Sequence, residues 1–178
     1  MTLSEQEKFD YLNEHIPYRL NSLRAWDLYI TKRRSNSYEE ESDDRKCNWE
    51  SHYLDPAFEI SIIFGRSLLQ FLGLTCRNNS LEYFVSKMGE DVQIWDVVLG
   101  KPPYPLSELT AYEKEHLCNI IKVANKASAH LTRKYSTTEE LNSLAPGRKL
   151  IYKMVTSYVD GLDKSKLWWE LEIKNHGG

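Results

Sequence analysis

The sequence predicts an all-α protein, an up-and-down bundle of about five main helices. Three observations predict it. Apolar residues recur at helical spacing along four long stretches. Those stretches open on capping signals and close on glycine or turn residues. No strand-rich region, no glycine-rich strand–helix junction and no internal repeat interrupts them. A chain of 178 residues is sized for one domain, 1–178, able to bury a core without staples.

Each element has its own warrant. Ser4 and Glu7 form a capping box, in which the hydroxyl caps the first turn and the carboxylate reaches back. Pro17 starts a second helical stretch to about Arg34, because its missing N–H costs nothing in a first turn. Leu20, Leu23 and Ile30 are inward candidates there. Residues 35–55 then change character. Glu39, Glu40, Glu41, Asp43, Asp44, Glu50 and Asp55 stand against only Arg45 and Lys46. Few apolar residues accompany them, so a mobile acidic loop is expected.

Asp55-Pro56 opens the next helix, as N-cap and first-turn proline. Its apolar residues, Phe58 to Leu72, go nearly all round, which predicts a central helix. Gly73 supplies a left-handed stop. Residues 80–88 and 91–99 are each expected as a short helix. Residues 100–105, with Pro102, Pro103 and Pro105, read as a rigid connector. A PxxP-type ligand is the other reading of that stretch.

Thr110 and Glu113 form a second capping box, opening a helix to about Leu131. Leu117, Ile120, Ile121, Ala124, Ser128 and Leu131 share one face of it. The last long helix starts near Pro146 and carries Leu150, Ile151, Met154, Val155, Tyr158, Val159 and Leu162 on one stripe. Asp160-Gly161 ends it. In the tail, 163–178, Leu167, Trp169, Leu171 and Ile173 alternate with Trp168, Glu170 and Glu172. A strand and a helical turn both fit.

Composition narrows the class. Hydrophobic residues at 41% and charged ones at 28% are ordinary for a globular protein. Aromatics at 12% exclude disorder throughout. A net charge of −3 gives no global signature for nucleic acid. Cys47, Cys76 and Cys118 have no metal-ligand spacing, and an odd number of thiols suits a reducing compartment. The N-terminus has no apolar run to act as a signal peptide. The longest apolar-rich stretch is broken by Glu59, Arg66 and Gln70, so it does not span a bilayer. A cytoplasmic protein with no membrane partner is expected. The Asn78-Asn79-Ser80 sequon carries no weight without a secretory signal.

No GxSxG, P-loop, HExxH or GxGxxG motif is present. His15, His52, His116 and His176 lack a second ligand at metal spacing, apart from Glu113 and His116. Di-iron bundles need two such pairs, so no metal and no cofactor is expected. The chemistry candidates lie further on. Lys122, Lys126 and His130, at i, i+4 and i+8, share a polar helix flank, and Arg133 and Lys134 follow. Across 122–153, seven basic residues face Glu139 and Glu140. Such a flank can hold phosphate. A histidine at its centre can move a proton on an RNA 2′-hydroxyl while a cation stabilises the developing charge. The plainer reading is a solvated outer face, with Arg133 and Lys134 answering the helix dipole.

The segment Ile120-Ile121-Lys122-Val123-Ala124-Asn125-Lys126-Ala127-Ser128-Ala129-His130-Leu131-Thr132 resembles the signature helix of the HEPN superfamily of nucleotide-binding helical bundles. In that superfamily an apolar helix ends in a small-residue–His step, here Ala129-His130. The resemblance covers about residues 56–162, with Arg66 as the inward-leaning arginine of the preceding helix. Nuclease members carry an arginine, usually followed by a polar residue, four to six residues before the histidine. Here Asn125 and Lys126 stand there, so the motif is incomplete. A lysine offers a point charge where arginine offers a fork. Arg45 and His52 match an Arg-x6-His spacing, but within an acidic stretch that repels RNA.

The resemblance implies a binding protein for RNA or nucleotide, through Lys122, Lys126, Arg133 and Lys134, or for a protein partner. It also implies a homodimer with facing motif helices, in a bacterial defence or toxin–antitoxin setting. One alternative is a weak metal-independent ribonuclease. His130 would be its acid/base, Lys126 its phosphate electrophile, and Asn125 would hold the vacant arginine position. A pure interaction module using Trp168-Trp169 or residues 100–105 is another. The acidic and basic stretches can also pair with each other, within a chain or across a dimer.

Overall fold

The fold is given by a computed structural model, which describes residues 3–35, 55–86, 91–129 and 144–168. The described chain is predominantly helical, an all-α bundle with one small sheet.

Helix α1, Glu5–Asp10, opens on the expected capping box. Ser4 Oγ accepts from Glu7 N at 3.2 Å, and Ser4 N donates to Glu7 Oε2 at 2.7 Å. The chain then passes without a break through a π-turn, Tyr11–His15, into α2, Ile16–Ser35. Pro17 accounts for the π-turn. Its ring excludes the carbonyl four residues back and removes a donor, so the preceding turn widens. Ile16, Leu20 and Leu23 are buried.

Helix α3, Asp55–Phe71, packs on all three other long helices: α2, α5 (Ala111–Ala129) and α6 (Leu144–Tyr158). The tightest convergence is at Gly65. A Cβ there would meet Ile120 Cγ2 at 2.9 Å, Leu23 Cδ1 at 3.3 Å and Ile151 Cδ1 at 3.4 Å. One turn of α2 further on, Asp27 meets Arg148, whose guanidinium lies over Phe58. So α2 runs antiparallel to both α3 and α6.

The expected central helix holds for its contacts but not for its burial. Ile60 and Ile63 of α3 are exposed. The enclosed helix is α5, where residues 116–121, Val123 and Ala124 are all buried. Gly147 brings α6 close to it, since a Cβ there would meet Ile120 Cγ1 at 2.8 Å and His116 O at 3.2 Å.

The helix expected over 80–88 is not there. Strand β1, Leu74–Arg77, pairs antiparallel with β2, Ser80–Tyr83, in register Leu74↔Tyr83 and Arg77↔Ser80. Asn78 and Asn79 both have positive φ, 48° and 63°. That is the left-handed two-residue loop whose twist suits a hairpin. Gly73, at φ 77°, ends α3 as expected and leads into β1.

A short helix α4, Ile94–Val97, does form within the second expected segment. Gln93, buried ahead of it, donates to Phe84 O at 2.9 Å and accepts from Ser86 N at 3.1 Å. Residues 100–105 have no regular structure and dock on the bundle. Tyr104 N donates to Leu72 O at 2.9 Å, and Tyr158 Oη shares its proton between Pro102 O and Pro103 O.

Helix α5 opens on the Thr110–Glu113 box. Helix α6 begins two residues ahead of Pro146, and Gly161, at φ 78°, lies beyond its end. The tail is neither a strand nor a free arm over its described part. A 3₁₀ turn, Lys164–Lys166, leads to Leu167, which is fully buried. The buried Asn21 of α2 donates to Lys166 O and accepts from Trp168 N, each at 2.9 Å. Residues 169–178 and the acidic stretch 36–54, with Arg45, Cys47 and His52, lie outside the described residues. No described helix is long and apolar enough to cross a membrane.

Candidate functional site

The described part of the signature segment, through Ala129, is helical. Its start is fixed locally. Glu113 Oε2 accepts from Thr110 N at 2.9 Å and from Thr110 Oγ1 at 2.8 Å. Those two bonds, the backbone one first, hold the Glu113 carboxyl below its ordinary pKa. Among the described residues no group of three or more His, Cys, Asp or Glu could hold a metal ion.

Lys122, Asn125 and Lys126, at i, i+3 and i+4, fall on one flank of α5. The structure brings these three together. Asn125 is exposed, and the two lysines are half-buried. Lys122 Nζ reaches Asn119 Oδ1 at 3.4 Å, a long contact that leaves most of its donor capacity open. His130, Arg133 and Lys134, the remaining residues of the expected site, lie outside the described residues.

Behind the flank, α5 faces the hairpin. Cys118 is buried there, and its thiol is pushed up to about 12. Burial is the main cause. A hydrogen bond and charge from Cys76 add to it, while the Lys122 charge works the other way. His116, also buried, lies edge-on to Tyr112 with ring centroids 4.1 Å apart. Neither of its ring nitrogens has a hydrogen-bond partner among the described residues.

Arg148 departs from the expectation. In the sequence it counts toward the basic stretch; in the structure it points inward and is 2% exposed. Its Nη2 meets Asp27 Oδ1 at 2.6 Å, and Arg24 Nη1 meets Asp27 Oδ2 at 2.9 Å. One carboxylate thus ties two guanidiniums across α2 and α6. Burial pulls the Arg24 pKa down, Asp27 supports it, and the Arg148 charge lowers it again. The signal for this cluster is register. Arg148 lies four residues after Leu144 and three before Ile151, on the buried stripe of α6.

In comparisons with protein-family models, curated proteins and solved structures, nothing matches this chain.

Proposed function

We propose that this chain is a HEPN-like helical bundle that binds RNA or nucleotide along the α5 flank without cleaving it. The observation that supports this is the shared flank of Lys122, Asn125 and Lys126 on helix α5. Two cations one turn apart suit neighbouring phosphates. An asparagine at the arginine position of nuclease members removes the fork that would polarise a scissile phosphate. The reading extends to a cytoplasmic homodimer with facing α5 helices, in a bacterial defence or toxin–antitoxin setting.

The test is fluorescence anisotropy of a labelled single-stranded RNA pool across a salt series. Binding should weaken as salt rises. Lys122→Ala/Lys126→Ala should flatten the log–log slope by about 1.4, at about 0.7 per phosphate contact on a single strand. A slope near zero for the intact protein would sink the proposal. Cleavage that persists in EDTA and is lost in His130→Ala would replace it with the ribonuclease reading. A second reading, a protein-interaction module, is favoured by Trp168. It is 55% exposed beside the buried anchor Leu167, and exposed tryptophans are enriched at interface centres.

A further inference from the structure

The β1–β2 hairpin turns one face to the bundle. Residues two apart on a strand point the same way, as do residues directly opposite across an antiparallel pair. Leu74 and Cys76 of β1 therefore share a face with Leu81, the cross-strand partner of Cys76. Leu74 and Leu81 are buried, and Cys76 packs half-buried against the same core. Helix α5 packs on both strands and carries the buried Cys118. The two side chains meet there, where Cys118 shares a hydrogen bond with Cys76. Both cysteines are free thiols. They bring a strand and a helix together through a contact that no local sequence signal announces.

We propose that Cys76 and Cys118 form a redox latch, in which a peroxide joins them as a disulfide that ties β1 to α5. The order of events follows exposure. Cys76, the half-buried thiol, meets the oxidant first, while Cys118 is shielded. The Cys76 sulfur attacks one peroxide oxygen and the O–O bond breaks. Cys76 becomes a sulfenic acid, and its proton leaves with the other oxygen as water. Cys118 Sγ then attacks the Cys76 sulfur. The S–O bond breaks, and the departing hydroxide takes the Cys118 proton as a second water. The two cysteines lose two electrons between them, and one peroxide is reduced to two waters. Burial holds the Cys118 thiol protonated, which slows its attack. Contact offsets this, because a group held against its target acts at a high effective molarity. Lys122, one turn further along α5, also favours the thiolate. The latch needs no nucleic acid, so it stands apart from the RNA reading.

The test treats the folded, fully reduced chain with hydrogen peroxide. Remaining thiols are then blocked with N-ethylmaleimide, and peptides are mapped without reductant. A linked Cys76–Cys118 peptide should account for most of the oxidised chain, and dithiothreitol should remove it. The oxidised chain should unfold at higher urea than the reduced one, because the bond closes a long loop in the unfolded chain. In Cys118→Ala, Cys76 lacks its resolving thiol and should pass on to sulfinic acid. If that variant does not fold, the parent chain's peptide map and urea midpoint decide the matter. The proposal is overturned if Cys118 remains a free thiol, whether or not Cys76 is oxidised. It is overturned if Cys47 takes either cysteine as its partner instead, or if the linked peptide forms only in urea. A lower urea midpoint after oxidation overturns it as well, because the bond would then strain the native contact.

Discussion

Asp27 carries more of the bundle than its exposed-looking sequence context suggests. Its side chain is 12% exposed and meets Arg148, which is 2% exposed, and Arg24, which is 5% exposed. Such a cluster is weak evidence for net stability, because burying the ions offsets their attraction. Breaking it is another matter. Asp27→Asn leaves two buried guanidiniums without their shared counter-ion and should cost about 3–5 kcal/mol, read from urea denaturation. A loss under about 1 kcal/mol would show that solvent reaches the cluster.

Cys118 gives a second prediction at this scale. Its pKa stands above the ordinary 9.0, at about 12, because burial disfavours the thiolate. A folded-state pKa raised above the unfolded one contributes stability that is complete below pH 9 and is lost as pH rises toward 12. The fall in stability over that window should be steeper in the parent chain than in Cys118→Ala. At pH 8, iodoacetamide should modify half-buried Cys76 and spare Cys118 until urea is added, as peptide mass mapping would show.

Among the elements, the long helices were legible and the hairpin was not. The capping boxes at Ser4 and Thr110, the proline at Asp55-Pro56 and the stops at Gly73 and Gly161 are local devices, readable without tertiary structure. Strands β1 and β2 are four residues each and do not alternate cleanly between buried and exposed. Their pairing depends on packing against α5. The readable signal was Asn78-Asn79, a dipeptide tolerant of positive φ between two β-compatible runs. The turn should therefore respond to substitution at Asn79, where φ is 63°. Asn79→Gly should stabilise by about 0.5 kcal/mol, and Asn79→Val should destabilise by about 1–2 kcal/mol. Thermal melts of the two variants on either side of the parent would confirm the left-handed turn.

Helix contacts have the same logic. Gly147 has an ordinary helical backbone, so its role is space, not φ. Its missing Cβ lets Ile120 and the His116 carbonyl approach. Gly147→Ala should cost about 1–3 kcal/mol through overpacking. No change in the urea midpoint would mean that α5 and α6 can slide apart freely.

For the molecule as a whole, a net charge of −3 concealed a division into an acidic and a basic stretch. The described part of the basic stretch is itself divided. Arg148 turns into the core, while Lys149 and Lys153 stay exposed and Lys122 and Lys126 are half-buried. Sequence position gave the count of cations but not their direction, which only helix register against neighbouring helices decides. The candidate flank was legible because it lies on one helix. The Arg24–Asp27–Arg148 cluster was not, because it joins residues far apart in the chain.

The C-terminal segment shows the same dependence on long-range contacts. Asn21 is 7% exposed, and its side-chain amide both donates to and accepts from the tail backbone. Asp163 N meets Leu12 O at 3.3 Å, so the tail also touches the π-turn. Ending the chain at Lys164 removes Leu167 from a fully buried position and leaves the Asn21 amide without those partners. Losing a buried leucine side chain costs about 2–5 kcal/mol. An orphaned buried amide adds about 1–3 kcal/mol. The shortened chain should therefore unfold at clearly lower urea, or fail to fold at all. Loss of partner binding on such a truncation would then report unfolding, not a missing docking surface. Trp168→Ala separates the two, because it keeps Leu167 and the backbone bonds to Asn21. If Trp168→Ala proves as damaging to stability as the truncation, the anchor lies in the indole, not in Leu167.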